Sequence, residues 1–154
     1  MTMQLERERF DRVAVATGLG IWYCDLPFDV LNWSVITKDH FWLQPDAFVT
    51  IQTFYDRIHP DDRERTRAAI DHSIGTRTPY DIVYRTVHPE DASRFKWIRA
   101  VGWTDYAADG TPNRFDGITL DMTAQKEAQD RLETINGVGQ KISAELDLSR
   151  LVQL

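Results

Sequence analysis

The segment that decides the fold of this chain reads Arg94-Phe95-Lys96-Trp97-Ile98-Arg99-Ala100-Val101-Gly102-Trp103. Its aromatic and β-branched residues suit a pleated, half-buried surface, so we predict a strand. Asp109-Gly110 then predicts a turn, and residues 114–120 resume the extended pattern. Asp121-Met122-Thr123 follows and leads into apolar residues with helical spacing. The segment therefore predicts a hairpin whose second strand continues into a helix.

The first strand of this hairpin has two apolar faces of different character. One face carries the bulky residues Phe95, Trp97, Val101 and Trp103. The other face carries Ile98, Ala100 and Gly102. We expect the small residues to face a cavity. The bulky aromatic residues are expected to pack under the N-terminal helix or a second subunit, because large exposed apolar patches mark contacts.

Upstream of the hairpin, the chain alternates helical and extended patterns. Residues 5–17 carry apolar residues at i, i+3, i+4 and i+7, and Gly18 predicts the end of that helix. Residues 20–26 and 30–34 predict two short strands around a turn. Residues 37–56, rich in aromatic side chains, predict short helical turns over the core.

A longer helix is predicted to begin near Pro60, with Asp61 three residues before Glu64 as an analogue of a capping box. It is expected to end at Gly75 with a left-handed cap, and residues 79–87 predict the next strand. Five antiparallel strands with helices on one face make an α+β domain with a pocket between sheet and helices.

Composition narrows the function. A chain of 154 residues forms one core, and without an apolar run of about 20 residues we expect a cytoplasmic segment with no membrane anchor. The net charge is −6 and basic residues alternate with acidic ones, which argues against binding nucleic acid. Cys24 is the single cysteine, so we expect a buried, unreactive thiol.

Several short motifs along the chain resemble, in their order and spacing, those of a PAS domain of the bacterial sensor type. They are Gly20-Ile21-Trp22 with Asp25-Leu26, Ile58-His59-Pro60-Asp61-Asp62-Arg63, Tyr84-Arg85, Trp97-Ile98 with Gly102, Asp109-Gly110, Gly117 and Asp121-Met122-Thr123. The resemblance covers residues 8–123 and implies the PAS fold with an internal ligand or cofactor site. We expect an N-terminal amphipathic helix (1–17), a PAS domain (18–123) and a C-terminal signalling helix (124–154).

The C-terminal helix carries a pattern typical of a coiled coil. Its apolar residues alternate at spacings of three and four: Ala128, Leu132, Ile135, Val138, Ile142 and Leu146. Two chains are expected to pair through this seam and the N-terminal helix, with Gly137 and Gly139 as a soft point; the alternative is a simple linker. Residues 142–154 resemble the helix that precedes a GAF domain in sensor kinases, so we expect a longer signalling protein.

Catalytic and cofactor patterns are weak. The chain shows no serine-histidine-aspartate grouping and no phosphate-binding glycine loop, and the Asp61-Asp62 pair suits the positive end of a helix dipole, so we expect no enzyme. A flavin photoreceptor would need its cysteine in an Asn-Cys-Arg-like helix motif, whereas Cys24 lies on a strand. Haem would need an axial histidine on the long helix; His72 lies there, but we expect it to be solvated and expect no cofactor.

A small apolar or aromatic ligand is therefore the hypothesis for the pocket, and plain core packing is its alternative. The candidate lining residues are Trp22, Ile70, Ile74, Tyr80, Ile82, Tyr84, Ile98, Ala100, Ile118 and Leu120. Asp121 and Thr123 are predicted to relay the signal from the last strand to the helix. The predicted function is a sensory module of a bacterial signalling protein such as a sensor histidine kinase, and the rival is a ligand-free dimerisation and spacer module.

Overall fold

The computed structural model describes the backbone of residues 2–152 and the side chains of residues 4–137 and 139. These residues form two compact units that meet in sequence between Met122 and Thr123. The first unit contains the sheet and four helices. The second unit is a single helix.

The elements follow the predicted order. The strands are β1 (Gly20–Asp25), β2 (Asn32–Trp33), β3 (Tyr80–Val87), β4 (Phe95–Tyr106) and β5 (Pro112–Asp121). The helices are α1 (Thr2–Thr17), α2 (Val35–His40), α3 (Ile51–Arg57), α4 (Pro60–Thr76) and α5 (Thr123–Val152). The predicted α+β class with a five-stranded antiparallel sheet is confirmed.

Strand β5 lies at the centre of the sheet, whose order is β2-β1-β5-β4-β3 with every pair antiparallel. Thr119 of β5 stands opposite Gly20 of β1 on one side and Ala100 of β4 on the other. Because directly paired residues share a face, this register defines an inner row that faces the helices. The last strand before α5 is therefore held on both sides by other strands.

The two faces of β4 are divided as predicted. Ile98, Ala100 and Gly102 are buried on the inner face, whereas Phe95 and Trp103 remain 39% and 54% exposed on the outer face. Packing of this face under the N-terminal helix or against a second subunit therefore stays a prediction.

Both ends of α4 differ from the prediction. His59, not Asp61, caps its start, and the Nδ1 atom of His59 accepts a hydrogen bond from the backbone N–H of Asp61 at 3.1 Å. The helix continues past Gly75, and Arg77 takes the left-handed conformation at φ 57° that ends it. Gly75 needs no special backbone angle, since its φ is not positive.

Side-chain caps place the two short helices over the sheet. Ser34 caps α2 by accepting from the N–H of Thr37, and Thr50 and Thr53 form a reciprocal capping box on α3. These caps fix where α2 and α3 begin. As a result, Phe41 just after α2 and Phe54 within α3 are buried in the core.

Helix α5 is a continuous helix of 30 residues. Leu132 and Ile135 of the predicted seam are 62% and 65% exposed in the single chain. The side chains of Val138, Ile142 and Leu146 lie outside the described residues. The coiled coil therefore stays a prediction, with an exposed apolar stripe at its first half.

Candidate functional site

An aromatic cluster covers the inner face of the sheet. The ring centroids of Trp22 and Phe115 are 4.8 Å apart, those of Tyr80 and Phe115 are 5.4 Å apart, and those of Trp22 and Tyr80 are 6.2 Å apart. These separations lie in the range in which aromatic pairs attract. The cluster joins β1, β3 and β5 into one surface.

A second aromatic cluster extends from the helices. Phe41 lies 4.4 Å from Trp33, 5.6 Å from Phe54 and 5.8 Å from Tyr84, measured between ring centroids. Tyr84 belongs to β3, so this cluster also links the helical layer to the sheet.

Both clusters line one void, which we call the inner cavity, with a volume of about 40 Å³. Its walls are Trp22, Tyr23, Cys24, Phe28, Leu31, Trp33, Thr37, Phe41, Phe54, Ile70, Tyr80, Tyr84, Ala100, Phe115 and Thr119. No charged side chain of the described part of the chain is among them. This volume is well below the roughly 150 Å³ of an apolar cavity that binds benzene, so the void has room for only a few non-hydrogen atoms.

Two glycines on the sheet make room for the indole of Trp22. A methyl group at Gly102 would lie 2.5 Å from the Trp22 ring, and one at Gly117 would lie 2.6 Å from it and 1.9 Å from the carbonyl oxygen of Val101. The indole N–H of Trp22 donates to the carbonyl oxygen of Ile118 at 3.0 Å. Trp22 therefore both lines the cavity and binds the backbone of β5.

The inner cavity has one polar corner. The hydroxyl oxygens of Thr37 and Thr119 lie 3.1 Å apart, and that of Thr119 lies 2.9 Å from Nδ1 of His40, which is 4% exposed. Gly20 permits this approach, because a methyl group there would lie 2.2 Å and 2.3 Å from the two hydroxyl oxygens. Burial lowers the pKa of His40 below its ordinary value, so the imidazole is neutral at pH 7.

Five of the ten predicted pocket residues line the inner cavity: Trp22, Ile70, Tyr80, Tyr84 and Ala100. Ile98 is buried in the same core, and Ile74 and Ile82 pack against it without lining the void.

The prediction that Ile118 and Leu120 line the pocket is wrong, because the register of β5 places them on the other face. They pair with Val101 and Arg99, whose side chains lie on the outer face of β4. Phe115 and Thr119 take their place in the cavity wall. Residues alternate between the two faces of a strand, so Phe115, Gly117 and Thr119 share one face. Knowing that Gly117 lies on the inner face would have placed the other two there.

His72, the candidate axial ligand of a haem, lies outside the cavity. His72 is exposed on α4, and Ile70 is the residue that α4 contributes to the wall. No histidine of the described chain lines the void, so the geometry does not fit a haem with an axial His72. Cys24 does line it, and burial, followed by the charge of Asp25, raises the pKa of its thiol to about 11.

The end of β5 remains attached to the sheet up to Met122. Asp121 is exposed and pairs with Ile98 in the register, and the backbone N–H of Met122 donates to the carbonyl oxygen of Trp97 at 2.7 Å. The charge of Asp121 also acts on His40, since it raises the pKa of that imidazole against the larger effect of burial. The predicted relay residue is thus electrostatically linked to the polar corner.

Sequence reasoning missed a buried ion pair between α4 and β3. Asp62 is 4% exposed, and its carboxylate accepts from the backbone N–H of Arg85 at 2.9 Å and from its guanidinium at 2.9 and 2.8 Å. Burial alone would raise the pKa of Asp62, but these hydrogen bonds and the nearby Arg65 outweigh it and lower the pKa to about 2. Asp62 therefore joins two elements rather than merely complementing a helix dipole.

A sequence profile described as the PAS fold matches residues 31–119, more than half of the chain. The chain belongs to the PAS family. The fold of this PAS domain is similar to that of a sensory box histidine kinase/response regulator from Burkholderia thailandensis, with a TM-score of 0.72 and 25% identity over 86% of this chain and 98% of that one.

Curated relatives of this PAS domain are much longer proteins. It is 30% identical to the sensor protein FixL of Bradyrhizobium diazoefficiens over 76% of its own length. It is 26% identical to the probable diguanylate cyclase DgcE of Escherichia coli over 85% of its length. The chain spans only 23% and 12% of these relatives. These similarities support a signalling role for this PAS domain.

The described residues lack two further features. None of the helices there combines the length and apolar character needed to span a bilayer. Nor do the described side chains include a group of three or more histidine, cysteine, aspartate or glutamate residues able to hold a metal ion.

Proposed function

We propose that this PAS domain is the sensory module of a larger cytoplasmic signalling protein, of the sensor histidine kinase type, and has no catalytic activity of its own. The observation that carries this proposal is the position of β5. Its inner face supplies Phe115 and Thr119 to the inner cavity, and its end continues into the 30-residue α5.

The coupling step uses the contacts of β5. A molecule that enters the cavity displaces Trp22, which donates to the carbonyl oxygen of Ile118 on β5, or Thr119, which belongs to β5 and is hydrogen-bonded to His40 of α2. Strand β5 then shifts against β4, and α5 moves with it because Thr123 follows directly. Such a ligand acts only through its difference in affinity for two states, and a near-complete switch takes about 5.5 kcal/mol.

The proposed output of this movement is a change in a paired α5. Leu132 and Ile135 supply the exposed apolar residues for a homodimer seam, with α1 as a second contact. The output domain, with a GAF domain before it, lies beyond residue 154 in this proposal. The kinase type is favoured by the similarity to FixL, and the similarity to DgcE makes a cyclase the alternative output.

The size of the inner cavity favours a second candidate function. At about 40 Å³, the void holds no aromatic molecule unless the surrounding rings move. The rival is therefore a ligand-free PAS domain that pairs two chains and aligns the domains on either side.

The test compares the full-length protein with its Asp121→Ala and Trp22→Phe variants in an autophosphorylation assay. Trp22→Phe keeps an aromatic ring but removes the donor to Ile118. A sensory module predicts that both variants keep their fold by circular dichroism and lose regulated phosphorylation. Unchanged regulation in both variants would contradict it. A thermal-shift screen with metabolites separates the rivals, since only a sensor is stabilised by one chemical class.

A further inference from the structure

A chain of hydrogen bonds runs from a buried imidazole to the wall of the inner cavity. Nδ1 of His40 lies 2.9 Å from the Thr119 hydroxyl, which lies 3.1 Å from the Thr37 hydroxyl. The Thr37 hydroxyl in turn lies 3.2 Å from the carbonyl oxygen of Ile21. Thr37 and Thr119 are fully buried, and both line the cavity.

The same atomic positions admit two proton arrangements. With a proton on Nδ1, His40 donates to Thr119, Thr119 donates to Thr37, and Thr37 donates to Ile21. With the proton on Nε2, Thr37 donates to Thr119 and Thr119 donates to Nδ1. Ile21 then keeps the hydrogen bond that the backbone N–H of Ser34 gives it at 2.9 Å. Each hydroxyl has one proton to donate, so the tautomer of His40 decides whether Thr119 donates to Thr37 or to Nδ1. The hydroxyl of Ser34, 3.3 Å away, is a further partner for Thr37.

A ligand in the cavity can select between these arrangements. An acceptor atom placed against Thr119 accepts a hydrogen bond from its hydroxyl. Nδ1 of His40 then has no donor. The Nδ1–H tautomer is then favoured, because it donates to Thr119 instead. An apolar molecule offers no acceptor and exerts no such preference. The ligand must be uncharged, since the described wall contains no charged side chain to offset the cost of burying a charge.

We propose that His40 reports occupancy of the inner cavity to the end of β5, and that the ligand is a small uncharged molecule with a hydrogen-bond acceptor directed at Thr119. This inference rests on the proposed sensory function. His40 acts here as a positioning residue. The charged groups that act on its ring are Asp121 at the end of β5, Lys96 on β4 and Asp39 on α2.

Two buried threonines that touch His40 in different ways provide a matched comparison. Thr119 contacts the ring, whereas the hydroxyl of Thr86 donates to the backbone carbonyl oxygen of His40 at 2.6 Å. Thr119→Val and Thr86→Val each remove one buried hydroxyl while keeping the shape of the side chain. Thr119→Ser restores the hydroxyl and guards against an effect of lost packing.

The experiment records the ring-nitrogen NMR resonances of His40 in the purified chain, assigned with His40→Gln. The probes are acetonitrile, which carries an acceptor, and xenon, which does not; both are small enough for a void of about 40 Å³. Acetonitrile is expected to move the Nδ1 and Nε2 resonances in opposite directions in the wild type, Thr86→Val and Thr119→Ser. It is expected to leave them in place in Thr119→Val, and xenon is expected to leave them in place throughout.

An equal response to xenon, or a Thr119→Val variant that responds like the wild type, would overturn the inference. The ligand-free proteins give a separate check, because Thr119→Val alone must change the tautomer ratio of His40. An unchanged ratio also overturns the inference, even if the phosphorylation test supports the sensory function. If the ratio changes but neither probe shifts the resonances of Phe115, the ligand part of the proposal is wrong and the spacer function is favoured.

Discussion

The buried pair of Asp62 and Arg85 supports a quantitative prediction about stability. In Asp62→Ala the guanidinium and the backbone N–H of Arg85 lose three hydrogen bonds of 2.8 to 2.9 Å. Removing one member of a buried ion pair costs about 3–5 kcal/mol. We expect the lower end, about 3 kcal/mol, because the Arg85 side chain keeps 24% exposure and can regain water.

Asp81 and Arg99 provide the control, since they form the same two-bond geometry at 3.0 and 2.7 Å on the outer face of β3 and β4. Their side chains are 49% and 42% exposed, so Asp81→Ala should cost less than about 1 kcal/mol. Urea unfolding of the two variants measures the difference. In a thermal scan, a loss of 3 kcal/mol corresponds to a drop of roughly 10 °C.

Acid titration checks the same pair independently. The pKa of Asp62 lies below its ordinary value of 3.8, at about 2, so the unfolded chain takes up its proton first as the pH falls. The stabilisation amounts to about 2 kcal/mol, is complete above about pH 5, and is lost as the pH falls through the folded pKa of about 2. Equal losses in Asp62→Ala and Asp81→Ala, or an unchanged acid profile in Asp62→Ala, would refute the reasoning.

Three further outcomes are expected. Gly117→Ala should destabilise the chain by about 1–3 kcal/mol in urea, because its methyl group would lie 1.9 Å from a carbonyl oxygen of the next strand. Gly75→Ala is the control: it has nothing within 4 Å and should stabilise α4 by up to about 1 kcal/mol. Because the pKa of His40 lies below 6.5 in the folded chain, wild-type stability should fall as the pH drops from 6.5 through that lowered value, and His40→Gln should remove this dependence. Sedimentation should show dimers that Leu132→Glu with Ile135→Glu dissociates; dimers that survive both changes would contradict the seam.

Local pattern was sufficient for the order of elements. Aromatic and β-branched residues predicted a strand at residues 94–103, which the structure has at Phe95–Tyr106, and Asp109-Gly110 predicted the turn after it. Both signals depend on residues near one another in the sequence. Local pattern did not identify the residue that caps α4. Several polar residues compete there, and the backbone angle of His59, which no local pattern reports, decided between them.

Pairing across the sheet decided the cavity wall. Ile118 and Leu120 are as apolar as Phe115, so hydrophobicity alone could not choose the inner face of β5. The choice follows from Thr119 standing between Gly20 and Ala100, and a shift of one residue would reverse it.

The sequence by itself determined the fold class, the order of the elements and the long helix after β5, since these depend on residue spacing along the chain. Only the tertiary structure decided the polar corner around His40, the Asp62 ion pair and the small volume of the inner cavity. Each of these depends on distances of about 3 Å between side chains far apart in sequence, such as His40 and Thr119. Such distances are set when β5 packs between β1 and β4, and no local pattern encodes them.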